Sequence, residues 1–464
     1  KERATGSFTY IENKLLNEQV STDIVSRLEY IANGVSVNRK ISTSGQMSIR
    51  GLSTIRGPKD PLIIVDNFPY AGDLNNINPN NVESITILKD AAAASIWGAR
   101  AGNGVIVITT KKGKFDQPFR IEVNSNITIA DKPDLGHLKQ MSSSDFIDVE
   151  QMLFEKGFYA GKENDFTRPA LSPVVETLVA ERDGLIDAAT ASSRINAFRT
   201  KDVRDDFRKY IYQRAVNQQY ALNARGGSSN MAYAFAVGFD KNMSELSAGY
   251  SRINISSENT FAPLKNLMFN TGIYYTQSKT TSGKPDYYGI QQPGYSLLPP
   301  YTSLDGALDY YRGPYIDTVG AGKLLDWKYY PAEDYKHSRF ENKLQDILMN
   351  LGVRYTFMKG LSVDVKYQYE RQQTDGRSLN DMESYYTRNL INTFTQINDG
   401  EVSYGVPLGA VLGLSHGSVT SHNLRGQLNY NNTWGRHSVA AIAGSEIRQV
   451  QNKSNGNTVY GYND

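Results

Sequence analysis

Gly413-Leu414-Ser415-His416-Gly417 has the G-x-S-x-G spacing that presents a serine nucleophile where a strand turns sharply into a helix. Here it reads as a glycine-rich loop followed by a strand, so the spacing is assigned to chance. The five histidines (His137, His337, His416, His422 and His437) show no i, i+4 helix pair and no zinc-type spacing, which leaves them surface or loop positions. Gly98 to Gly104 is glycine-rich but lacks G-x-G-x-x-G and the Gly-Lys-Ser/Thr ending of a phosphate loop. No catalytic constellation emerges, so neither an enzyme nor a cofactor or metal is expected. The stretch Pro285–Tyr335 is rich in rings, among them Tyr287, Tyr288, Tyr310, Tyr311 and Trp327. Such faces suit stacking on sugar rings or docking a partner, and they equally suit packing of a long loop. Asp305, Asp309, Asp317 and Asp326 lie in the same stretch and can accept from hydroxyl groups. They can also take calcium, although EF-hand spacing is absent.

The elements that carry these residues are strands. Met231, Tyr233, Phe235, Val237 and Phe239 alternate with Ala232, Ala234, Ala236 and Gly238. Leu361, Val363, Val365, Tyr367 and Tyr369 alternate with Ser362, Asp364, Lys366, Gln368 and Glu370. Sustained alternation with charge on the second face is what a membrane barrel with a wet lumen requires. About nine such segments are read, near 118–130, 212–226, 231–241, 249–260, 266–278, 341–357, 361–373, 420–434 and 437–450. Short links (Gly227–Asn230, Phe261–Lys265, Met358–Gly360, Gly435-Arg436) alternate with long ones (Asp131–Ile211, Lys279–Phe340, Thr374–Val419); Asn242–Ala248 is the one brief exception. Short periplasmic turns and long outer loops give that parity.

Composition is compatible. No run of about 18 apolar residues exists, which excludes a transmembrane helix but not a barrel. Net charge is +2, so nothing argues for nucleic acid. Cysteine is absent, as suits an oxidising envelope. Lys1-Glu2-Arg3 shows no signal pattern, so an exported chain would begin after processing. Nine strands is odd, whereas bacterial barrels close with an even number, so the expectation is the N-terminal part of a longer protein.

Ahead of the strands, Val82 to Leu88 reads as a strand, Asp90 as the cap of a helix over Ala91–Trp97, and Gly98 as its end. Val105 to Thr110 reads as a second strand, giving a compact β-α-β unit. Ile11–Leu16 and Ile24–Ile31 are short amphipathic segments. The ordered motifs Ser48-Ile49-Arg50-Gly51, Pro61-Leu62-Ile63-Ile64-Val65-Asp66 and Asn78 to Lys114 resemble the plug of TonB-dependent outer-membrane transporters. More narrowly they resemble the SusC/RagA family of Bacteroidota. Asn67 and Trp97 depart from it, where Gly and Tyr are usual.

The resemblance implies a small α+β plug domain at 1–114 and, over 115–464, an incomplete antiparallel transmembrane β-barrel with long extracellular loops. Its plug motif falls on Gly51, Asp66, Lys89, Asp90, Gly98, Asn103 and Gly104. It implies that Arg50 and Arg100 seat the plug on inner-wall carboxylates, for which parity offers Glu370 and Glu446. It implies import of a glycan or oligopeptide across the outer membrane of a Gram-negative bacterium. The partners would be a SusD-like surface lipoprotein as lid, TonB with ExbB/ExbD, and outer-membrane lipid. No TonB-contact segment is recognised in residues 1–47. A surface receptor or adhesin without transport would lack a plug, and a soluble β protein would pack its strands around a dry core.

Overall fold

The computed structural model describes residues 7–21, 23–38, 46–49, 51, 60–89, 101–291 and 297–463. Its first part is built on strands β1 (Phe8–Glu12), β2 (Val35–Asn38), β3 (Gln46–Ile49), β4 (Leu62–Val65), β5 (Phe68–Pro69), β6 (Val82–Leu88) and β7 (Val105–Thr110). Five of them form one sheet in the order β1-β6-β7-β4-β5, while β2 and β3 form a separate hairpin. β6 and β7 run antiparallel, and the parallel neighbour of β7 is β4. The expected β-α-β arrangement of β6 and β7 is therefore corrected: the parallel crossover joins β4 to β7. The helix expected over Ala91–Trp97 lies outside the described residues.

Helices Asn13–Glu18 and Ile24–Ile31 cover this sheet, the second capped by Asp23, whose carboxylate accepts from the Ser26 amide at 2.6 Å. Leu16, Ile24 and Leu28 pack on Ile85, Ile87, Ile106 and Ile108 with no exposed surface. Each such side chain contributes about 1.5–3 kcal/mol by leaving water. Asp66 and Asn67 turn β4 into β5 with φ of 47° and 75°. Asparagine tolerates the left-handed region, so Asn67 serves where the family uses glycine. Gly104, at φ 87°, is also required: a Cβ there would lie 2.8 Å from Ile49 Cδ1.

The remainder is one nine-stranded antiparallel sheet. Its strands are β8 (Gln117–Ala130), β9 (Ala215–Gly227), β10 (Met231–Met243), β11 (Gly249–Leu264), β12 (Leu267–Thr281), β13 (Ser338–Met358) and β14 (Leu361–Asn380). After a small hairpin, β15 (Thr395–Asn398) and β16 (Glu401–Tyr404), the sheet ends with β17 (Ala410–Trp434) and β18 (His437–Tyr462). Each wall strand pairs with its neighbour in sequence, and β8 and β18 are the two open edges.

The strand count and the parity of links follow the expectation, but three strands run at least seven residues further than read. β14 continues to Asn380, β17 begins at Ala410, and β18 reaches Tyr462. The Gly-Leu-Ser-His-Gly stretch is therefore strand rather than loop: Gly413 to Gly417 face Ser378 to Thr374 on β14. Strands of 25 and 26 residues span about 80 Å at 3.3 Å per residue, far longer than an ordinary strand. The chain leaves the first unit at the short-turn edge, where the Asp116 amide donates to the Ser228 carbonyl at 3.1 Å. At the opposite edge the long connections fold into a layer with helices Ser143–Glu155, Pro173–Arg182, Ala188–Phe198 and Tyr385–Thr393.

Candidate functional site

The nine-stranded sheet is inverted relative to a soluble protein. On β14, Asp364, Gln368 and Glu370 are at most 6 % exposed, whereas Val365 is 46 % exposed. Phe235 and Phe239 on β10 are each 43 % exposed, while Asp240 beside them has no exposed surface. The polar face is buried because the five-stranded unit sits against it.

The contact between the two is largely polar. Asn76 holds four partners: its Nδ2 donates to Asp346 Oδ2 (3.1 Å) and Gln372 Oε1 (3.2 Å), and its carbonyl accepts from Asn254 (2.9 Å) and Thr276 (3.0 Å). The Tyr70 hydroxyl donates to Asp346 at 2.9 Å, and the Ala71 amide to Glu370 at 3.3 Å. Asp66 joins both bodies, accepting from the Thr110 amide (3.1 Å) and hydroxyl (2.6 Å), and from the Tyr274 hydroxyl of β12 (2.9 Å). Lys112 lies 3.4 Å from the same carboxylate. Close approach is permitted at Gly238, where a Cβ would lie 2.1 Å from Asn78 Nδ2.

A second network ties helix Ile24–Ile31 to the wall. Arg27, only 1 % exposed, donates to the carbonyls of Ser21 (2.8 Å) and Leu16 (3.3 Å) and to Gln219 Oε1 of β9 (3.4 Å). Gln219 in turn donates to the Ser21 carbonyl at 3.1 Å and to Asp240 at 3.3 Å. Asp240 pairs with Arg252 at 2.7 Å, both fully enclosed. Burial pulls the Arg27 guanidinium down to about 10, so it stays charged at neutral pH. Among the described residues, the plug's apolar cluster takes in Leu348 of the wall and, partly buried, Tyr274. A cavity of about 50 Å³ lined by Asn76, Asn78, Asn254 and Tyr274 lies in the seam and is large enough to admit water.

Such an interface can hold and can let go. Each hydrogen bond contributes only about 0.5–1.5 kcal/mol net because water replaces it on separation. Seam water would make that exchange gradual.

The sequence pattern of the TonB-dependent Receptor Plug Domain matches residues 1–105. The TonB-dependent receptor SusC of Bacteroides thetaiotaomicron is 28% identical over 351 residues, covering 71% of this chain and 30% of that relative. The chain is thus similar to SusC/RagA-like TonB-dependent transporters, and its first 105 residues to their plug domain. TonB-dependent receptor P26 of Formosa agariphila is 35% identical over 132 residues, 27% of this chain and 13% of that one. The solved structure of the RagAB peptide transporter shares the fold with a TM-score of 0.73 at 20% identity, covering 98% of this chain and 49% of that one. The chain thus spans half or less of the length of these relatives. The five-stranded unit is the plug, and the nine-stranded sheet is barrel wall.

Of the plug-motif residues, Asp66 is the hub described above, Asn103 and Gly104 lead into β7, Lys89 follows β6, and Gly51 is exposed. Asp90, Gly98, Arg50 and Arg100 lie outside the described residues. Of the two carboxylates offered by parity, Glu370 meets the plug through the Ala71 amide. Glu446 faces Arg425 of the wall at 2.5 Å, and the Arg425 guanidinium lies 5.1 Å from the ring centre of Phe68 in the plug. Arg425, Asn76, Gln219 and Asp346 were missed. Inward parity was the available signal for the wall residues, but it does not say which plug atom each will meet.

The loop rings separate into two groups. Tyr287 is 6 % exposed, packs on Phe207 with centroids 5.0 Å apart, and donates to Gln140, while neighbouring Tyr288 is exposed. Tyr311 packs on Trp327 at 4.7 Å and Tyr310 on Tyr385 at 4.8 Å, with Trp327 Nε1 donating to Asn389 at 2.8 Å. Burial pushes the Tyr310, Tyr329 and Tyr385 hydroxyls above the usual phenol range. Most of these rings serve to build the loop layer.

Proposed function

We propose that this chain is the plug (1–114) and part of the wall (115–464) of an outer-membrane transporter importing a glycan or an oligopeptide. TonB, with ExbB/ExbD, supplies the work, and a SusD-like lipoprotein closes the loop layer as a lid. The observation that carries this reading is the inverted wall: buried carboxylates and amides face a plug, and exposed apolar rows face away from it. A closed core of strands would have the opposite polarity, which weighs against a soluble lectin or hydrolase. An adhesin without transport has no use for a body seated by separable polar contacts.

The lumen carries no catalytic machinery in this reading, so binding and mechanical work replace chemistry. Arg50 and Arg100 are proposed to add to the plug's seating. Tyr288, with Tyr287, Tyr310, Tyr311 and Trp327 behind it, is proposed to face the cargo or the lid. One relative of the same fold is described as a peptide transporter, which keeps the peptide reading beside the glycan one. Deleting the gene and measuring uptake of labelled oligosaccharides and oligopeptides, with and without a proton uncoupler, tests the proposal. Uptake lost on deletion and on uncoupling is expected. Uptake of every probe unchanged by deletion would sink it.

A further inference from the structure

The outward face of the wall carries an order of its own. Following each strand from its short-turn end along the outward positions, the first Lys, Arg, Asp or Glu is Lys241 on β10, Lys279 on β12, Lys343 on β13, Arg371 on β14 and Lys453 on β18. On β8, β9, β11 and β17 no outward position carries any of the four types. Every wall strand with an outward charge therefore meets a cation first, and all five cations are exposed. Carboxylates appear only beyond it, at Glu341 and Asp375. Inward positions show no such rule: Asp240, Arg252, Asp346, Lys366 and Glu370 mix both signs.

Register brings these groups together. Lys279, Lys343, Asp375, His416 and Asn455 occupy one cross-strand row, and Thr281, Glu341, Arg377, Leu414 and Asn457 occupy the next. Glu341 is shared by Lys279 (2.6 Å) and Lys343 (3.1 Å), and Asp375 accepts His416 at 2.6 Å. Lys279, Lys343, Arg371 and Arg377 thus face two carboxylates, so positive charge is in surplus. A recess of about 590 Å³ opens on this row, lined by Lys343, Arg377, His416, the amides of Asn455 and Asn457, and the carboxylates of Glu341 and Asp375 that Lys279, Lys343 and His416 already engage. Below it along β13 and β14 come the pairs Gln345–Gln373 and Ile347–Arg371, and then Met349 with Tyr369 and Leu351 with Tyr367, part of the apolar band.

We propose that this rim binds phosphate-bearing headgroups of anionic lipid in the leaflet on the long-loop side, with the recess around Lys343 and Arg377 as the seat. The inference rests on the membrane reading above. Acyl chains would lie on the apolar band while phosphate oxygens meet the cations and the asparagine amides in the rows above it. A solvated strand face has no reason to place a cation first on every charged strand. A bilayer with phosphates at that height does, since each cation near an anionic surface gains on the order of fivefold in binding.

The test uses the full-length protein in nanodiscs of phosphatidylcholine doped with phosphatidylglycerol or diphosphoryl lipid A. Phosphorylated lipid retained by the protein is counted by native mass spectrometry. Enrichment over phosphatidylcholine is expected. It should fall roughly tenfold or more in K343Q/R377Q and in K279Q/R371Q, and stay unchanged in K156Q on the outer helical layer. Equal retention in wild type and both double variants would overturn the proposal, as would enrichment abolished by millimolar inorganic phosphate, which would point to a soluble anion. Unchanged thermal melts show that the variants fold. Protein that never enters the disc would instead sink the wall reading, and this inference with it.

Discussion

Replacing Asn76 with alanine removes a plug side chain that bonds to two wall strands, through Asp346 of β13 and Gln372 of β14. Two hydrogen bonds are lost: one to the Asp346 carboxylate at 3.1 Å and one to Gln372 at 3.2 Å. A bond to a charged group contributes about 1.5–3 kcal/mol and a neutral one about 1 kcal/mol. Asp346 keeps the Tyr70 hydroxyl at 2.9 Å, so it is not stripped of partners. The expected loss of seating is therefore about 2–3 kcal/mol, near the lower part of that sum. The amides of Ala71 and Asp73 donate across the seam to Glu370 and Gln372, each at 3.3 Å, so they report undocking directly. Hydrogen exchange at these two positions, in detergent-solubilised full-length protein, should quicken on the order of 30- to 150-fold. The strand amides of β12 to β14 should not change. Acceleration under about threefold, or equal acceleration in the wall, would refute the claim that this contact seats the plug.

Three further perturbations probe other parts of the account. Gly238→Val places a Cβ where Asn78 Nδ2 now sits, so the plug should be displaced and its protease resistance lost while the wall stays intact. Arg252→Met leaves Asp240 enclosed without its cation and should cost about 3–5 kcal/mol in thermal or denaturant unfolding. The double change with Asp240→Leu should recover most of it; no recovery would mean that the pair acts through something other than charge. Val365→Arg on the exposed band should lower folding into lipid bilayers by about 2–4 kcal/mol if that row lies near mid-depth. Folding yield unchanged by the arginine would place Val365 outside the membrane.

Much of this was legible because the signals were periodic. The alternation at Leu361 to Glu370 fixed both faces of β14, since a one-residue slip would bury Val365 and expose Asp364. The plug was legible through ordered motifs, and Asp66 within them proved to join both bodies. The upper halves of β14, β17 and β18 were not legible. Gly413, Ser415 and Gly417 break the apolar alternation, yet the ladder to β14 continues there, because pairing depends on the backbone rather than on apolar side chains. The helices of the outer layer had readable caps: Ser142 accepts from Asp145 at 3.1 Å, Ser172 from Val175 at 3.2 Å, and Asp187 from Thr190 at 2.7 Å. They sit inside the long connection 131–211, where a cap alone, without a sustained apolar stripe, does not mark a helix. Inward parity offered Glu370, which does meet the plug, but which plug atom meets which wall residue could not be read, because partners such as Asn76 and Asp346 lie 270 positions apart and only the fold brings them together.

The central claim concerns which face of the wall meets lipid; these 464 residues contribute no cysteine, so in full-length protein cleared of any cysteine elsewhere each single-cysteine variant carries one label. Spin labels placed one at a time at Val363, Asp364, Val365, Lys366, Tyr367 and Gln368 in the full-length protein in lipid should alternate. Labels at 363, 365 and 367 should collide freely with oxygen dissolved in the bilayer, and those at 364, 366 and 368 should be shielded from it. Alternation of the opposite phase, or uniform accessibility along the strand, would contradict the account.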